Sequence, residues 1–299
     1  MSMTTPVIIE AAINGVANKA RNVHVPCTPD EIARDARACL AAGAAIVHSH
    51  NAEMAVEAPR AADLYLAAWR PVLAGRPDAI LYPTIGFGGT IEERYAHHAI
   101  LAEAGAIRMG LCDPGSVNFG ATDEDGLPGP PDFVYTNTFS DIRHEVAMCA
   151  RYRLGPSIAI FEPGFLRAAL AFHRAGRLPA GALVKLYFGG EFDYLGGSRR
   201  GVGFGLPPTR LSLEAYLAML EGTNLAWAVA VIGGDVLASD VARLALERGG
   251  HLRVGLEDYA GSRTPSNEEL VREAVRLARE VGRPVAGCAE TARLLGLTR

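Results

Sequence analysis

Two histidines stand one residue apart in the segment VHSHN that begins at Val47. Side chains of a strand alternate between its two faces, so His48 and His50 at the end of a strand project from the same face. A pair of imidazoles in this arrangement is a suitable clamp for a divalent metal ion, zinc above all. By itself the pattern leaves a second interpretation open, in which both histidines end a strand by chance and local hydrogen bonds satisfy them.

A second polar cluster lies near the C-terminus, where the sequence reads HLRVGLED from His251 to Asp258. Alternation along a strand would place His251, Arg253 and Glu257 on one face. An Arg and a Glu that face the interior of a sheet are costly unless they are paired or bound to metal. Glu257 could therefore complete a His₂-carboxylate metal site with one position open for water or substrate. The alternative is a buried ion pair between Arg253 and Glu257 without a metal.

Asp258 follows Glu257 directly and points in a different direction, so it could act as a general base while its neighbour holds the ion. Capping of the next segment is the other common role for an Asp in this place. Further polar residues near predicted strand ends are candidates for substrate binding: Asn14, Thr84, Asp113, Ser116, Asn118 and Glu162. Each alone is typical of turns and caps, whereas their repetition at one end of the strands indicates a polar pocket.

The elements that position these residues alternate along the whole chain, because short apolar runs are followed by longer amphipathic stretches. The pattern predicts eight strands, at residues 7–14, 45–50, 80–84, 107–111, 157–161, 183–187, 226–232 and 251–257. It predicts helices that cover about residues 29–42, 59–73, 91–104, 138–152, 164–175, 211–221, 235–248 and 266–281. The clearest helix start is a capping box formed by Thr28 and Glu31, with Pro29 in the first helical position.

Eight β/α pairs predict a (β/α)₈ TIM barrel that spans residues 1–299 as one domain. No Gly-x-Gly-x-x-Gly motif follows the first strand, which argues against a dinucleotide-binding fold. The Gly- and Pro-rich stretches 112–131 and 188–208 are predicted to be long loops after the fourth and sixth strands, where barrels build active sites.

Three smaller features carry weaker expectations. Gly189-Gly190 and the Gly- and Arg-rich residues 196–201 suit close approach to a phosphate, or else form a flexible surface loop. Cys112 follows the fourth strand and is a lesser candidate for a catalytic thiol, since free cysteines are usually buried core residues. Glu10 shares a strand face with Asn14, so either it lies in the barrel interior with a partner or the assigned face is wrong.

Composition sets broad limits on function. The 299 residues are 49% hydrophobic and 21% charged, which predicts a large globular core. A net charge of −4 with scattered basic residues argues against a nucleic-acid partner. The N-terminus lacks the pattern of a signal peptide and no stretch resembles a membrane span, so we expect a cytoplasmic protein. Five cysteines without a CxxC pattern favour neither a disulfide framework nor a thiolate metal site.

From end to end the chain resembles the β-keto acid cleavage enzymes, whose founding activity is 3-keto-5-aminohexanoate cleavage. The resemblance rests on AAING at 11–15, HSH at 48–50, GSVNFG at 115–120, EPG at 162–164, WAVA at 227–230 and GHLRVGLED at 250–258. It implies zinc (Zn²⁺) on His48, His50 and Glu257, with Arg253 assisting at the substrate and Asp258 as base. It also implies a homotetramer of barrels.

The resemblance further implies a reaction in which a β-keto acid and acetyl-CoA become acetoacetate and a new acyl-CoA. Zinc would chelate the keto and carboxylate oxygens and stabilise the enolate that forms when Asp258 removes the α-proton. The enolate would attack the thioester, CoA would be transferred internally, and a retro-Claisen step would release acetoacetate. Arg253, with zinc, would stabilise the developing oxyanions.

Two departures from the family pattern affect the expected substrates. Ala17 stands where the founding enzyme has a Glu that holds the substrate's amino group, so a different substrate tail is expected. The stretch 188–205 is longer than the family's compact glycine loop, and Gly233-Gly234 replaces an expected Arg, so the CoA site is expected to differ.

Two other functions fit the same residues in part. A zinc hydrolase or a class II aldolase-like lyase also uses two histidines and a carboxylate, and predicts turnover without CoA. A barrel that only binds a small molecule predicts neither metal nor activity, and the complete His, His, Glu and Asp set argues against it.

Overall fold

The computed structural model describes residues 5–51, 53, 55–192 and 204–297. Among these residues the strands are β1 Ile9–Ala12, β2 Ile46–Ser49, β3 Ile80–Pro83, β4 Met109–Cys112, β5 Val117–Thr122, β6 Pro128–Tyr135, β7 Gly155–Ile160, β8 Leu183–Gly189, β9 Ala226–Ile232 and β10 His251–Val254. The α-helices are α1 Pro29–Ala42, α2 Ala58–Gly75, α3 Ile91–Glu103, α4 Phe139–Tyr152, α5 Pro163–Arg174, α6 Arg210–Leu220, α7 Asp240–Glu247, α8 Asn267–Glu280 and α9 Cys288–Leu295. A short 3₁₀ helix, Val236–Ala238, precedes α7.

Eight of the strands run parallel in one sheet, in the order β3-β2-β1-β10-β9-β8-β7-β4. The two end strands, β3 and β4, pack against each other, although no ladder joins them among the described residues. The sheet is therefore a nearly closed barrel flanked by helices, and the predicted TIM-barrel fold is confirmed. In this barrel β1 lies between β2 and β10, so the two polar clusters of the sequence come from the two strands beside β1.

Residues of the barrel strands alternate between two apolar layers. Ile9, Ala11 and Val47 belong to the large cluster between the strands and the helices. Ile8 and Ile46 belong to a smaller cluster inside the barrel, which Ala292 and Leu295 of α9 join. Helix α9, which the sequence did not predict, therefore packs against the N-terminal end of the barrel interior.

The helix starts follow the sequence closely. Thr28 accepts a hydrogen bond from the backbone N–H of Glu31 and forms the predicted capping box. The same arrangement starts α3, α4 and α8, at Thr90, Thr138 and Ser266. No described helix is long and apolar enough to cross a membrane.

The stretch 112–131 is not the simple loop that its glycines and prolines suggested. Strands β5 and β6 form an antiparallel hairpin there, with a register shift between Gly120 and Ala121. Along β5 the side chains of Val117, Phe119 and Ala121 are buried while that of Asn118 is exposed. This alternation lets the hairpin cover the mouth of the barrel on one side.

Candidate active site

His48 on β2 and His50, which directly follows the strand, project from one face as predicted. A backbone carbonyl holds the His48 ring, and the Asn14 side chain holds the backbone of His50. His48 Nδ1 lies 3.2 Å from the carbonyl oxygen of Tyr82, to which it donates, so its Nε2 is the acceptor nitrogen. Asn14 holds the backbone of His50 at both ends: its Oδ1 accepts from the N–H at 2.8 Å and its Nδ2 donates to the carbonyl at 3.0 Å. A carbonyl partner like that of His48 fixes the ring orientation of a metal-binding histidine.

Glu257 faces these histidines, although not by the strand alternation that the sequence suggested. Strand β10 ends at Val254 and the chain turns at Gly255, whose φ is 139°. A Cβ on Gly255 would lie 2.0 Å from the carbonyl oxygen of Ala12, so the turn requires glycine. The predicted strand 251–257 is therefore too long, and a turn brings the Glu257 carboxylate back beside β10.

The side chains of His48, His50 and Glu257 form a compact set of ligand atoms. The His48 and His50 Nε2 atoms lie 3.4 and 3.6 Å from the two carboxylate oxygens of Glu257. One ligand atom from each residue can be chosen so that all lie within 4.8 Å of one another. Glu257 Oε2 is buried and lacks a hydrogen-bond partner among the described residues, as expected of an oxygen that ligates an ion.

The protonation states also suit a metal. Burial lowers the pKa of His48 to about 3, which leaves a neutral imidazole. Burial works to raise the pKa of Glu257, but the positive charge of Arg253 opposes it, and the pKa lies well below its usual range. Two imidazoles and one carboxylate are a donor set that zinc takes in catalytic sites. The residues present therefore fit a divalent metal, while the geometry does not identify which one.

Arg253 is fully buried and binds three carboxylates at once. Its guanidinium donates to Glu10 Oε1 at 2.7 Å, lies 2.9 Å from Glu257 Oε1, and donates to Asp258 Oδ2 at 2.7 Å. The ion pair between Arg253 and Glu257 thus exists, and it is compatible with Glu257 as a metal ligand as well as with the alternative that has no metal.

Glu10 lies in the barrel interior with partners, which settles its position. Tyr82 donates its hydroxyl to Glu10 Oε1 at 2.6 Å and accepts from Lys185 Nζ at 2.8 Å. Burial would raise the pKa of Glu10, but the charges of Lys185 and Arg253 lower it to about 2. Glu10 is therefore the anion that balances two buried cations.

Sequence reasoning missed Lys185, which is buried on β8 and lines the cavity described below. Burial lowers its pKa, and the charge of Glu10 opposes that shift. The signal was present, since Lys185 is the one charged residue in the apolar run LVKLYFG. A charge within such a strand is costly without a partner, and therefore points to a functional or paired group.

Asp258 is buried beside the ligand set with both carboxylate oxygens on Arg253, at 2.7 and 3.1 Å. Burial raises its pKa to about 6, against the opposing charge of Arg253. Its side chain does not line the cavity, and no hydrogen bond to a helix start uses it. Asp258 is thus an acid group behind the site, and any role as base requires that its bonds to Arg253 be exchanged.

A cavity of about 610 Å³ opens above these groups at the C-terminal mouth of the barrel. His48, His50, Glu257, Arg253 and Lys185 lie on its wall. Much of the remaining wall is apolar or aromatic: Ile85, Leu111, Phe119, Phe133, Tyr135, Phe161 and Tyr187. The β5–β6 hairpin contributes three of these rings, and Phe119 packs 5.2 Å from Phe133 and 5.3 Å from Phe161 between ring centroids.

The six predicted substrate-binding residues divide into two groups. Thr84 and Asp113 line the cavity. Asn14, Ser116, Asn118 and Glu162 are not among its lining residues.

Three of these four form hydrogen bonds to backbone groups and do not line the cavity. Asn14 holds the backbone of His50, as described above. Ser116 exchanges hydrogen bonds of 3.0 Å with the backbone of Asn137, and Glu162 Oε1 accepts from the N–H of Gly205 at 2.8 Å. The fourth, Asn118, is exposed on β5.

The remaining expectations concern a thiol and a glycine loop. Cys112 is buried, and burial raises its pKa well above the usual value, so the thiol stays protonated and does not line the cavity. Gly190 packs so closely against the β9 loop that a Cβ would lie 2.2 Å from the carbonyl oxygen of Gly233. Most of the stretch 188–208, including the Gly- and Arg-rich residues 196–201, lies outside the described residues.

The chain is similar in sequence to known proteins over nearly its whole length. The family model described as beta-keto acid cleavage enzyme matches residues 6–297. The 3-keto-5-aminohexanoate cleavage enzyme of Acetoanaerobium sticklandii is 28% identical over 299 residues, with 98% of each chain covered. The 3-dehydrocarnitine:acetyl-CoA trimethylamine transferase of Rhizobium meliloti is 29% identical over 328 residues, covering 100% of this chain and 99% of the relative.

Solved structures are similar in fold. The binary complex of ObcA with oxaloacetate superposes with a TM-score of 0.72 at 18% sequence identity, covering 94% of this chain and 69% of that chain. At this identity the likeness establishes the barrel architecture and nothing about substrates.

Proposed function

Because the chain belongs to the β-keto acid cleavage enzyme family, we propose that it converts a β-keto acid and acetyl-CoA into acetoacetate and a new acyl-CoA. The observation that carries the proposal is the convergence of His48, His50 and Glu257 on the cavity wall, with Arg253 in contact with Glu257. Relatives of this chain whose names contain acetyl-CoA support it as the co-substrate.

His48, His50 and Glu257 would hold zinc at the end of the cavity. When bound there, zinc would supply Lewis acid chemistry that polarises the keto group of the substrate. The hydrogen bond from His48 to the Tyr82 carbonyl keeps that imidazole oriented before substrate binds, and the hydrogen bonds of Asn14 hold the backbone of His50 in place. Such preorganisation avoids a cost of rearrangement during the reaction.

Arg253 would supply fixed positive charge next to the reacting atoms, and it orients Glu257 and Asp258. In the proposed reaction a carboxylate oxygen of Asp258 takes the α-proton of the keto acid. Both of its oxygens are bound by Arg253 and its side chain does not line the cavity, so this transfer requires that the guanidinium release an oxygen and that the carboxylate turn towards the substrate. Lys185 and Thr84 line the same cavity and would contact substrate oxygens.

The tail of the substrate is proposed to differ from that of 3-keto-5-aminohexanoate, because Ala17 replaces the residue expected to hold an amino group. The homotetramer and the cytoplasmic location expected from the sequence remain predictions. Light scattering of the purified protein would test the first of them through the molar mass in solution.

The experiment that tests the proposal is a panel of β-keto acids incubated with and without acetyl-CoA, with acetoacetate and acyl-CoA as readouts. We expect both products only when acetyl-CoA is present. Equal consumption of the keto acid without acetyl-CoA would instead favour the hydrolase or lyase. The variant His48→Ala should lose activity at least about 100-fold, whereas His24→Ala, at an exposed histidine, should keep it.

A further inference from the structure

A row of aromatic rings leads along the cavity wall from Arg253 to the β5–β6 hairpin. The guanidinium carbon of Arg253 lies 5.3 Å from the centre of the Tyr187 ring. Tyr187 stacks on Phe161 with 4.9 Å between ring centroids, and Phe161 packs edge to face against Phe119 at 5.3 Å. Phe119 in turn stacks on Phe133 at 5.2 Å. All four rings line the cavity.

The row begins where the head of the keto acid is proposed to bind. Arg253 lies 2.9 Å from Glu257, a member of the metal ligand set. A head that is held by the metal ligands and Arg253 therefore has the rings as the next surface for its tail. Phe161 and Phe133 are only partly buried, so they offer apolar surface to a ligand in the cavity.

The polar side chains beside these rings are already bonded within the protein. Tyr135 donates its hydroxyl to Asp113 Oδ2, and the second oxygen of Asp113 lacks a partner among the described residues but is buried with almost no accessible surface. Thr136 donates to the carbonyl oxygen of Val134 at 3.3 Å. Arg94 is bound by side chains at the start of α4. A polar group on the tail would therefore lose its water without gaining a partner from these residues.

A quaternary ammonium group is the one polar tail that aromatic rings attract by themselves. The faces that it needs are partly covered, because the two stacks in the row each cover one face of both rings. Lys185 Nζ lies 5.6 Å from the centre of the Tyr187 ring, and Arg253 already approaches the same ring. The row thus offers hydrocarbon contact along its length and not an open cage for a cation.

We propose that the ring row of Tyr187, Phe161, Phe119 and Phe133 binds an uncharged, apolar tail, so that the substrate is a β-keto acid with an alkyl or aryl tail. This inference rests on the proposed function for the position of the keto acid head. It goes further by naming the chemical class of the tail and the residues that select it.

The test compares four β-keto acids of equal chain length, whose tails end in a methyl, a hydroxyl, a carboxylate or a trimethylammonium group. With acetyl-CoA, kcat/KM for the methyl-ended acid should exceed that for the other three by about 10-fold or more, because a polar group without a partner is costly in an apolar site. Among alkyl tails, kcat/KM should rise about 3-fold for each added methylene until the row is filled.

A pair of variants then tests the rings. Phe133→Leu and Phe133→Asn introduce side chains of similar size that differ in polarity. We expect the ratio of kcat/KM for the methyl-ended acid to that for the hydroxyl-ended acid to persist in Phe133→Leu and to fall at least about 5-fold in Phe133→Asn. Phe139→Asn, at an exposed ring that does not line the cavity, should keep the wild-type ratio. A ratio between two substrates does not depend on the fraction of folded enzyme.

Three outcomes would overturn the inference: equal kcat/KM for the methyl-ended and hydroxyl-ended acids, a preference for the carboxylate or trimethylammonium compound, or an unchanged ratio in Phe133→Asn. The Kd values of the same four acids, measured by calorimetry without acetyl-CoA, separate it from the proposed function. Absence of turnover for every acid contradicts the proposed function, whereas equal Kd values for the four acids contradict the role of the ring row.

Discussion

The two ends of the barrel interior differ sharply although the same strands build both. At the N-terminal end Ile8, Ile46 and Leu183 face inward and pack with α9. Two residues further along the same strands, the inward positions are Glu10, His48 and Lys185.

The period of two in a strand keeps both sets on the inner face, so one step of the pattern changes the interior from apolar to ionic. The apolar end supplies stability mainly through packing, and there His251 Nδ1 accepts a hydrogen bond from the N–H of Ile8 at 3.0 Å. The ionic end is stable only as a complete network. A barrel with its chemistry at the C-terminal mouth is expected to separate stability from chemistry in this way.

The largest expected effect comes from breaking the ionic end at its centre. Arg253→Met leaves the carboxylates of Glu10, Glu257 and Asp258 without their shared cation. We expect a loss of activity of at least about 100-fold and a loss of about 3–5 kcal/mol in the free energy of unfolding. Chemical denaturation and kcat/KM measure the two effects. Wild-type stability in this variant would contradict the view that the ionic end depends on a complete network.

The matching change at the apolar end should separate stability from activity. Leu183→Ala creates a cavity in the apolar cluster inside the barrel, at the end away from the histidines. It should lower the free energy of unfolding by about 2–5 kcal/mol. Because no cavity-lining residue is changed, kcat/KM at a temperature well below the melting point should stay near the wild-type value. A loss of activity as large as that of Arg253→Met would contradict the view that the apolar end serves stability and the ionic end serves activity.

A smaller effect is expected at Glu10, which contacts Arg253 and Tyr82 but does not line the cavity. Glu10→Gln keeps the shape and an acceptor oxygen while it removes the balancing charge. We expect kcat to fall about 10-fold, with KM changed less, because Glu10 acts by positioning Arg253. Glu10→Asp should recover part of kcat, since it restores the charge. An unchanged kcat in Glu10→Gln would show that the position of Arg253 does not depend on this anion.

The smallest effect is a pH dependence of stability that arises outside the barrel. Burial raises the pKa of Asp35 on α1 from 3.8 to about 7, and Asn267 is its hydrogen-bond partner. The folded state therefore binds the proton more tightly than the unfolded state, so stability falls as the pH rises from about 4 to 7. In Asp35→Asn the part of this loss that Asp35 causes should be absent, so the Tm difference between variant and wild type should grow across that range. A constant difference would contradict the shifted pKa.

Local pattern was sufficient for the eight barrel strands, for most of the helices and for part of the site. Eight strands, the helix starts and the shared face of His48 and His50 follow from periodicity and capping, which are properties of neighbouring residues. Glu257 was predicted beside the histidines, but for a reason that the turn at Gly255 corrects. Its position depends on the close approach of Gly255 to Ala12, a contact between strands that are distant in sequence.

The parts of the site that the sequence did not predict also depend on contacts between residues that are distant in sequence. Lys185 and Tyr82 are hydrogen bonded across 103 residues, and neither has a local partner that would reveal the bond. Strands β5 and β6 were hidden because their glycines and prolines are typical of loops. Asn14, by contrast, was correctly singled out at a strand end, yet its hydrogen bonds hold His50 and do not reach the cavity.

The central claim is the metal site, and metal binding measures it most directly. The protein would be stripped with a chelator and titrated with zinc by calorimetry, together with His50→Ala, Glu257→Gln and the surface control His24→Ala. We predict one tight site per chain in wild type and in His24→Ala, with affinity reduced at least about 10-fold in the two site variants. Zinc affinity that is the same in all four proteins would contradict the assignment of His48, His50 and Glu257 as the ligands.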